Sequence, residues 1–174
     1  HCYGSVKEIL DERSDEHSPP LFVILDGIQD PHNLGAIIRT CDAVGATGVV
    51  IPKRRACGLT SAVAKASAGA IEYVPCARVP NLARELDKLK DGGFWTVGTS
   101  AKADKTIYEI DLTGPIGIVI GSEGKGMSSL LEKKCDFLAR IPTMGQISSL
   151  NASVAAAVVL FEVFRQRQLA CRFS

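Results

Sequence analysis

The chain has 174 residues, 46% hydrophobic and 22% charged, enough to bury one full core, whereas two domains sharing that length would each be marginal. A formal net charge of +1 excludes the uniformly basic composition of a domain that grips nucleic acid by charge alone and leaves only local clusters for such a role. No apolar run reaches the roughly 18 residues of a membrane span, and no basic-then-apolar leader opens the chain, so the expected location is the cytoplasm.

Residues 1–20 are polar and end in Pro19-Pro20, which reads as a short helix over 6–10 at most, followed by a linker. From Leu21 onward, short apolar runs rich in β-branched residues alternate with helical patterns. The expected strands are LFVIL (21–25), GVVIP (48–52), IEYVP (71–75), FWTVG (94–98), IGIVIG (116–121) and FLARIP (137–142). Helices are expected over 33–44, 60–68, 80–91, 127–134 and 151–167. This alternation predicts an α/β fold, a mostly parallel sheet with helices on both faces. LFVIL and IGIVI lack polar alternation, as strands covered on both sides do.

In an open parallel sheet, ligands lie beyond the carboxyl ends of the strands. The loops there are DGIQDPHN, PKRRACG, PCARVP, GTSAKADK, GSEGKG and PTMGQISSLN, and they hold most of the unusual residues. GSEGKG suggests a phosphate cradle, but it satisfies neither GxxxxGK followed by Ser or Thr nor GxGxxG after the first strand. Glu123 inside it would repel a pyrophosphate, so it is either a plain strand-to-helix turn or a seat for a cationic, hydroxyl-bearing or amine-bearing ligand. In DGIQDPHNLGAIIRT, Asn33 is a candidate helix cap. Arg39, among Ile37, Ile38 and Cys41, is expected near the sheet edge, where it either meets solvent or binds a phosphate by its two-pronged guanidinium.

Downstream, Ser148, Ser149 and Asn151 crowd a helix start beside a loop containing Gly145. A simple cap explains one of them and not all three. The helix that follows is apolar nearly all round, which predicts burial on all sides, by the sheet on one and by a second copy of the chain on the other.

Among the basic clusters, Lys133-Lys134 and Arg165, Arg167 and Arg172 read as ordinary solvated faces, whereas Lys53, Arg54 and Arg55 follow a strand directly and sit near other unusual residues. The six cysteines, Cys2, Cys41, Cys57, Cys76, Cys135 and Cys171, form no CxxC pair and read as small buried apolar groups in a reducing compartment. The histidines His1, His17 and His32 are far apart, and no carboxylate cluster has ligand spacing, so no metal is expected. GxSxG is absent, which removes a hydrolase of the nucleophile-elbow type. An organic cofactor or none remains.

Three stretches in this order, DGIQDPHNLGAIIRTCDAVGATGVV, GPIGIVIGSEGKGM and FLARIPTMGQISSLNASVAAA, together resemble the SpoU/TrmH family of RNA ribose 2′-O-methyltransferases, within the SPOUT superfamily. The similarity runs from Leu21 to about Arg167 and is greatest to the branch that methylates a guanosine of 23S rRNA, with the tRNA guanosine branch second. It implies a deep trefoil knot in the C-terminal part, S-adenosylmethionine as cofactor, an obligate homodimer and an RNA partner. Cofactor contacts are then implied at Thr99, Gly121, Ile141, Pro142 and Leu150. Arg39 is implied close to the acceptor hydroxyl, with Asn33, Glu123, Ser149 and Asn151 around it. Thr143 stands where Met commonly follows the proline in this family. The family's usual N-terminal RNA-binding domain has no full counterpart, so residues 1–20 are read as a linker or remnant and 21–174 as the catalytic domain. The missing initial methionine fits a trimmed fragment. A catalytically silent RNA-binding domain of the same fold and a Rossmann-type nucleotide enzyme are the competing readings. The second lacks its fingerprint.

Overall fold

The computed structural model describes residues 2–14 and 17–173; His1, counted among the histidines above, lies outside them. At the centre of the sheet, β2 (Leu21–Asp26) runs parallel to β7 (Ile116–Gly121) along its whole length, from Leu21 opposite Ile116 to Asp26 opposite Gly121. Leu21 to Leu25 are all at most 1% exposed. Successive strand residues face opposite ways. Leu21, Val23 and Leu25 therefore enter one core and Phe22 and Ile24 the other. Burying each such side chain stabilises the fold by roughly 1.5–3 kcal/mol, so this run suits a central position and no other.

Around this pair lie β1 (Cys2–Tyr3), β3 (Gly48–Pro52), β4 (Cys76–Val79), β5 (Trp95–Thr99), β6 (Lys105–Thr106) and β8 (Phe137–Arg140). The order is β1-β4-β3-β2-β7-β5-β8-β6, and each neighbouring pair of these strands is parallel. β8, late in the chain, lies between β5 and β6, two strands that are consecutive in sequence.

One face carries α2 (Pro31–Val44), α3 (Ser61–Ala66) and α6 (Ala152–Arg172), whose Ile37, Ile38, Val63, Val159 and Leu160 fill the first core. The other carries α1 (Val6–Asp11), α4 (Leu82–Asp91) and α5 (Ser129–Lys134), contributing Val6, Ile9, Leu86 and Leu131. Parallel strands covered on both faces are the arrangement expected from the unbroken apolar runs.

Several expectations are corrected. No strand covers 71–75: Ala70–Glu72 is a 3-10 turn, and the strand begins at Cys76. Ile71 and Val74 pack against the core from this turn, while Tyr73 is left 78% exposed, so β-branched residues here fill a corner and not a pleat. Within residues 1–20, Cys2–Tyr3 pairs with β4 and α1 buries Val6 and Ile9, so part of this stretch packs with the sheet. Asn33 does not cap α2: Asp30 does, accepting from the His32 amide at 2.9 Å, with Pro31 in the first turn. On α6, Val154, Phe161, Phe164 and Leu169 are 37–49% exposed, so the elements of this chain cover only part of the helix. Among the cysteines, Cys41 and Cys76 are buried, Cys57 and Cys135 half-buried, and Cys2 and Cys171 exposed. Burial pushes the Cys76 thiol up to about 12 and that of Cys41 higher still.

A polar belt ties the end of α6 to the starts of the two central strands. The Arg167 guanidinium donates to the carbonyls of Pro19 (2.8 Å), Gly114 (3.0 Å), Pro20 (3.4 Å) and Leu112 (3.4 Å). Burial, with Arg13 nearby, brings its pKa down to about 10. Gln166 adds a reciprocal pair, donating to the Ile110 carbonyl at 3.0 Å and accepting from the Leu112 amide at 2.8 Å.

Candidate active site

Beyond the carboxyl ends of β5, β7 and β8, three loops surround a cavity of about 330 Å³. The first leaves β5. Thr99 donates its hydroxyl to the Val119 carbonyl at 3.2 Å, holding β5 to β7, and the Ser100 amide donates to the Ala139 carbonyl at 2.9 Å, holding the loop to β8. Lys102 stands further along the same loop, at the cavity rim.

The second loop is the glycine turn after β7. Ser122 and Gly126 form an antiparallel bridge, with the Gly126 amide donating to the Ser122 carbonyl at 2.9 Å. The turn folds back so tightly that a Cβ on Gly121 would collide with the Met127 amide nitrogen and the Gly126 carbonyl carbon. Backbone cannot swing aside as a side chain can, so no larger residue fits. Gly126 has φ 67°, in the left-handed region that glycine enters without steric cost. Ser128 closes the loop: its amide donates to Asp26 Oδ2 at 2.7 Å and its hydroxyl caps α5. Glu123 lines the cavity from this turn, exposed, its carboxylate without a hydrogen-bond partner among the described residues.

The third loop runs from Ile141 to Asn151 and supplies Ile141, Thr143, Ser148, Ser149 and Leu150 to the lining. It ends at Asn151, which caps α6 by accepting from the Ser153 amide at 2.9 Å and the Val154 amide at 3.2 Å. The same side chain donates to Asn33 Oδ1 at 3.1 Å, joining the start of α6 to that of α2 across a separation of 118 residues. Ala139, Ala152 and Ala155 complete an apolar wall.

The structure thus brings Thr99, Gly121, Glu123, Ile141, Ser149 and Leu150 to one cavity. Asn33 and Asn151 meet each other beside it without lining it, and Pro142 is exposed just outside. Arg39 is also exposed and outside the lining. Six residues beyond Asn33 is roughly 9 Å along a helix, and about 120° away around it, so Arg39 and the Asn33–Asn151 pair occupy different sides of α2. Sequence reasoning missed Lys102, Lys125 and Glu132 in the lining. The loops holding the two lysines had been singled out, yet nothing in their spacing told which side chains turn inward. Among the described residues no group of His, Cys, Asp or Glu is assembled to hold a metal, and no helix is long and apolar enough to cross a membrane.

This architecture is shared with solved structures. AviRb from Streptomyces viridochromogenes, a SpoU methyltransferase crystallised in complex with the cofactor AdoMet, superposes with a TM-score of 0.85 at 30% identity, over 96% of this chain and 66% of that one. A TrmH/SpoU tRNA modifying enzyme from A. aeolicus gives a TM-score of 0.81 at 30% identity, over 95% and 82%. In sequence, YacO of Bacillus subtilis, named as a TrmH family tRNA/rRNA methyltransferase, is 53% identical over 165 residues, 95% of this chain. An uncharacterized tRNA/rRNA methyltransferase of Synechocystis is 52% identical over the same share. The chain spans 66% of the length of the first relative and 43% of the second. The model of the SpoU rRNA methylase family matches residues 20–161, most of the chain and every loop of the cavity, and the chain belongs to that family.

Proposed function

We propose that residues 21–174 form a catalytic unit that transfers the methyl group of S-adenosylmethionine to a ribose 2′-hydroxyl of RNA. A guanosine of 23S rRNA is the first candidate acceptor and a tRNA guanosine the second. The observation that carries the reading is the cavity itself. Its walls of Ala139, Ile141, Leu150, Ala152 and Ala155 suit an adenine and a thioether chain, and its volume falls in the range of small-ligand pockets. Glu123 and Glu132 in the lining oppose a triphosphate and favour a cation, while Lys102 and Lys125 have the sign to meet a carboxylate. Thr99, Gly121, Ile141 and Leu150 would hold the cofactor, with Pro142 just outside. Bound there, the sulfonium supplies an activated methyl group.

The protein's own task is alignment and charge. Holding a hydroxyl in line with a methyl group removes much of the entropic barrier. Glu123 and Ser149, which share the cavity, orient the hydroxyl. Asn151 and Asn33 hold the third loop in place through their mutual hydrogen bond. Arg39 works from outside the cavity on RNA lying over its rim, binding a phosphate and stabilising the developing alkoxide. A guanidinium is always protonated, so the hydroxyl proton leaves to phosphate or water and not to Arg39.

Two further features support the family reading. β8 enters between β5 and β6 after both have been made, as a knotted C-terminal segment would require. The exposed Val154, Phe161 and Phe164 on α6 suit a second copy of the chain as cover. Phe161→Asp is expected to shift sedimentation from dimer to monomer.

Calorimetry with S-adenosylmethionine, NAD and ATP tests the function, with binding of the first alone expected. Binding of NAD or ATP alone overturns the reading. Methyl transfer to an RNA acceptor should disappear when the acceptor ribose is replaced by deoxyribose. An Arg39→Lys variant with full turnover and an unchanged pH-rate profile would remove any special role for the fork.

A further inference from the structure

A second cleft, of about 480 Å³, opens on the other side of the glycine turn, beyond the carboxyl ends of β2, β3 and β7. Ser122, Lys125 and Gly126 line both hollows, so the turn is a wall between them. The chemistry differs across that wall. Arg54, Arg55 and Lys125 line the second cleft, and none of their side chains makes an ion pair or hydrogen bond with another described residue. The carboxylate present, Asp26, is already engaged by the Ser128 amide at 2.7 Å. Arg55 adopts φ 58°, a turn that is uncommon for a residue with a long side chain and that ends the run Lys53-Arg54-Arg55 at the cleft.

The floor is apolar, with Leu82, Met127 and Leu131 buried beneath and Leu130 left 55% exposed. Gln29 and Asn81 supply amides at the edge; Asn81 uses its oxygen to cap α4 at 3.1 Å, which leaves its amide protons to donate elsewhere. Unpaired cations, an apolar floor and edge amides are what a nucleotide of single-stranded RNA requires for its phosphate, its base plane and its base edge.

Resting on the methyl-transfer reading of the neighbouring cavity, we propose that this cleft is a subsite for a nucleotide flanking the acceptor. The RNA strand crosses the glycine turn, its acceptor ribose in one hollow and a neighbour in the other. Arg54 and Arg55 hold phosphates, and Gln29 meets the edge of the flanking base. Sequence preference next to the methylated position is set here.

The test uses fluorescence anisotropy with a fluorescein-labelled, mixed-sequence single-stranded RNA dodecamer across a range of salt concentrations. The Arg54→Gln/Arg55→Gln pair, both exposed, should weaken binding about tenfold and flatten the slope of log affinity against log salt by about 1.4, two phosphate contacts at ~0.7 each for a single strand. The Lys pair at the same positions should restore the slope. Gln29→Ala should leave the slope alone and change the relative binding of dodecamers that differ in one flanking base. Unchanged affinity and slope in the Gln pair overturns the subsite, as does a wild-type protein that binds no dodecamer. Competition by free 5′-GMP that depends on both arginines, beside dodecamer binding that does not, would assign the cleft to a mononucleotide and also overturn it. Calorimetry with S-adenosylmethionine is read separately: absence of cofactor binding by the wild type removes the proposed reaction, while the RNA and 5′-GMP measurements decide the cleft.

Discussion

The two hollows beside the glycine turn share a wall yet differ in chemistry, and the difference follows from where each draws its remaining residues. The smaller is closed by the loops after β5 and β8, which bring alanines, Ile141 and Leu150 together with charges of both signs. The larger is closed by the loops after β2 and β3, which bring two unpaired arginines. One turn can thus separate a site suited to a small cofactor from one suited to a polyanion. The contrast between the linings comes from the partners of the turn and not from its glycines.

The most severe way to break this contrast is to break the wall. Gly121→Val should destabilise the protein by about 3 kcal/mol, since overpacking against backbone has no cheap relaxation, and should abolish binding in both hollows; chemical denaturation and calorimetry measure the two effects. Glu123→Gln keeps the shape and removes one charge from the smaller hollow. It should lower turnover about a hundredfold, as loss of a group acting on the hydroxyl does, while dodecamer affinity stays unchanged. Asn151→Ala removes a helix cap and the tie to Asn33 and should cost about 1 kcal/mol, weakening cofactor binding more than RNA binding, because the third loop closes only the smaller hollow.

A control lies outside both linings. Glu162, buried on α6, pairs with Arg165 at 2.7 Å, and that hydrogen-bonded guanidinium holds its carboxyl below the usual range. A carboxylate with a depressed folded-state pKa contributes stability that is complete above its unfolded value near 4.5 and is lost as pH falls through the lower folded value. With Arg165 largely exposed, Glu162→Gln should cost about 0.5 kcal/mol at neutral pH, flatten the acid limb of the stability curve, and leave both hollows unaffected.

Much of this was legible in the sequence, for physical reasons that differ by element. LFVIL and IGIVIG announced central strands because five successive buried residues have no other home. Asn151 announced a helix start through its capping chemistry. β1 and β6 stayed hidden because two-residue edge strands carry no period, and IEYVP misled because β-branched residues also serve to fill a corner beneath a 3-10 turn. In the site, the loops were found from strand polarity, and Thr99, Glu123 and Ser149 do share a cavity. The contact between Asn33 and Asn151 and the separateness of Arg39 were not legible, since both depend on how α2 and α6 cross. The second cleft announced itself only as a cluster of basic residues.

The position of β8 between β5 and β6 has a consequence for how the chain reaches this state. β5 pairs with β8 through Val97 to Thr99, and β6 with β8 through Lys105 and Thr106, so neither earlier strand completes that side of the sheet without a segment synthesised later. Arg167 then bonds to carbonyls up to 148 residues away. Contacts of such sequence separation must be closed before they contribute energy, which makes folding slow. A nascent chain stopped short of Arg167 would hold its two central strands without the clasp that secures their starts.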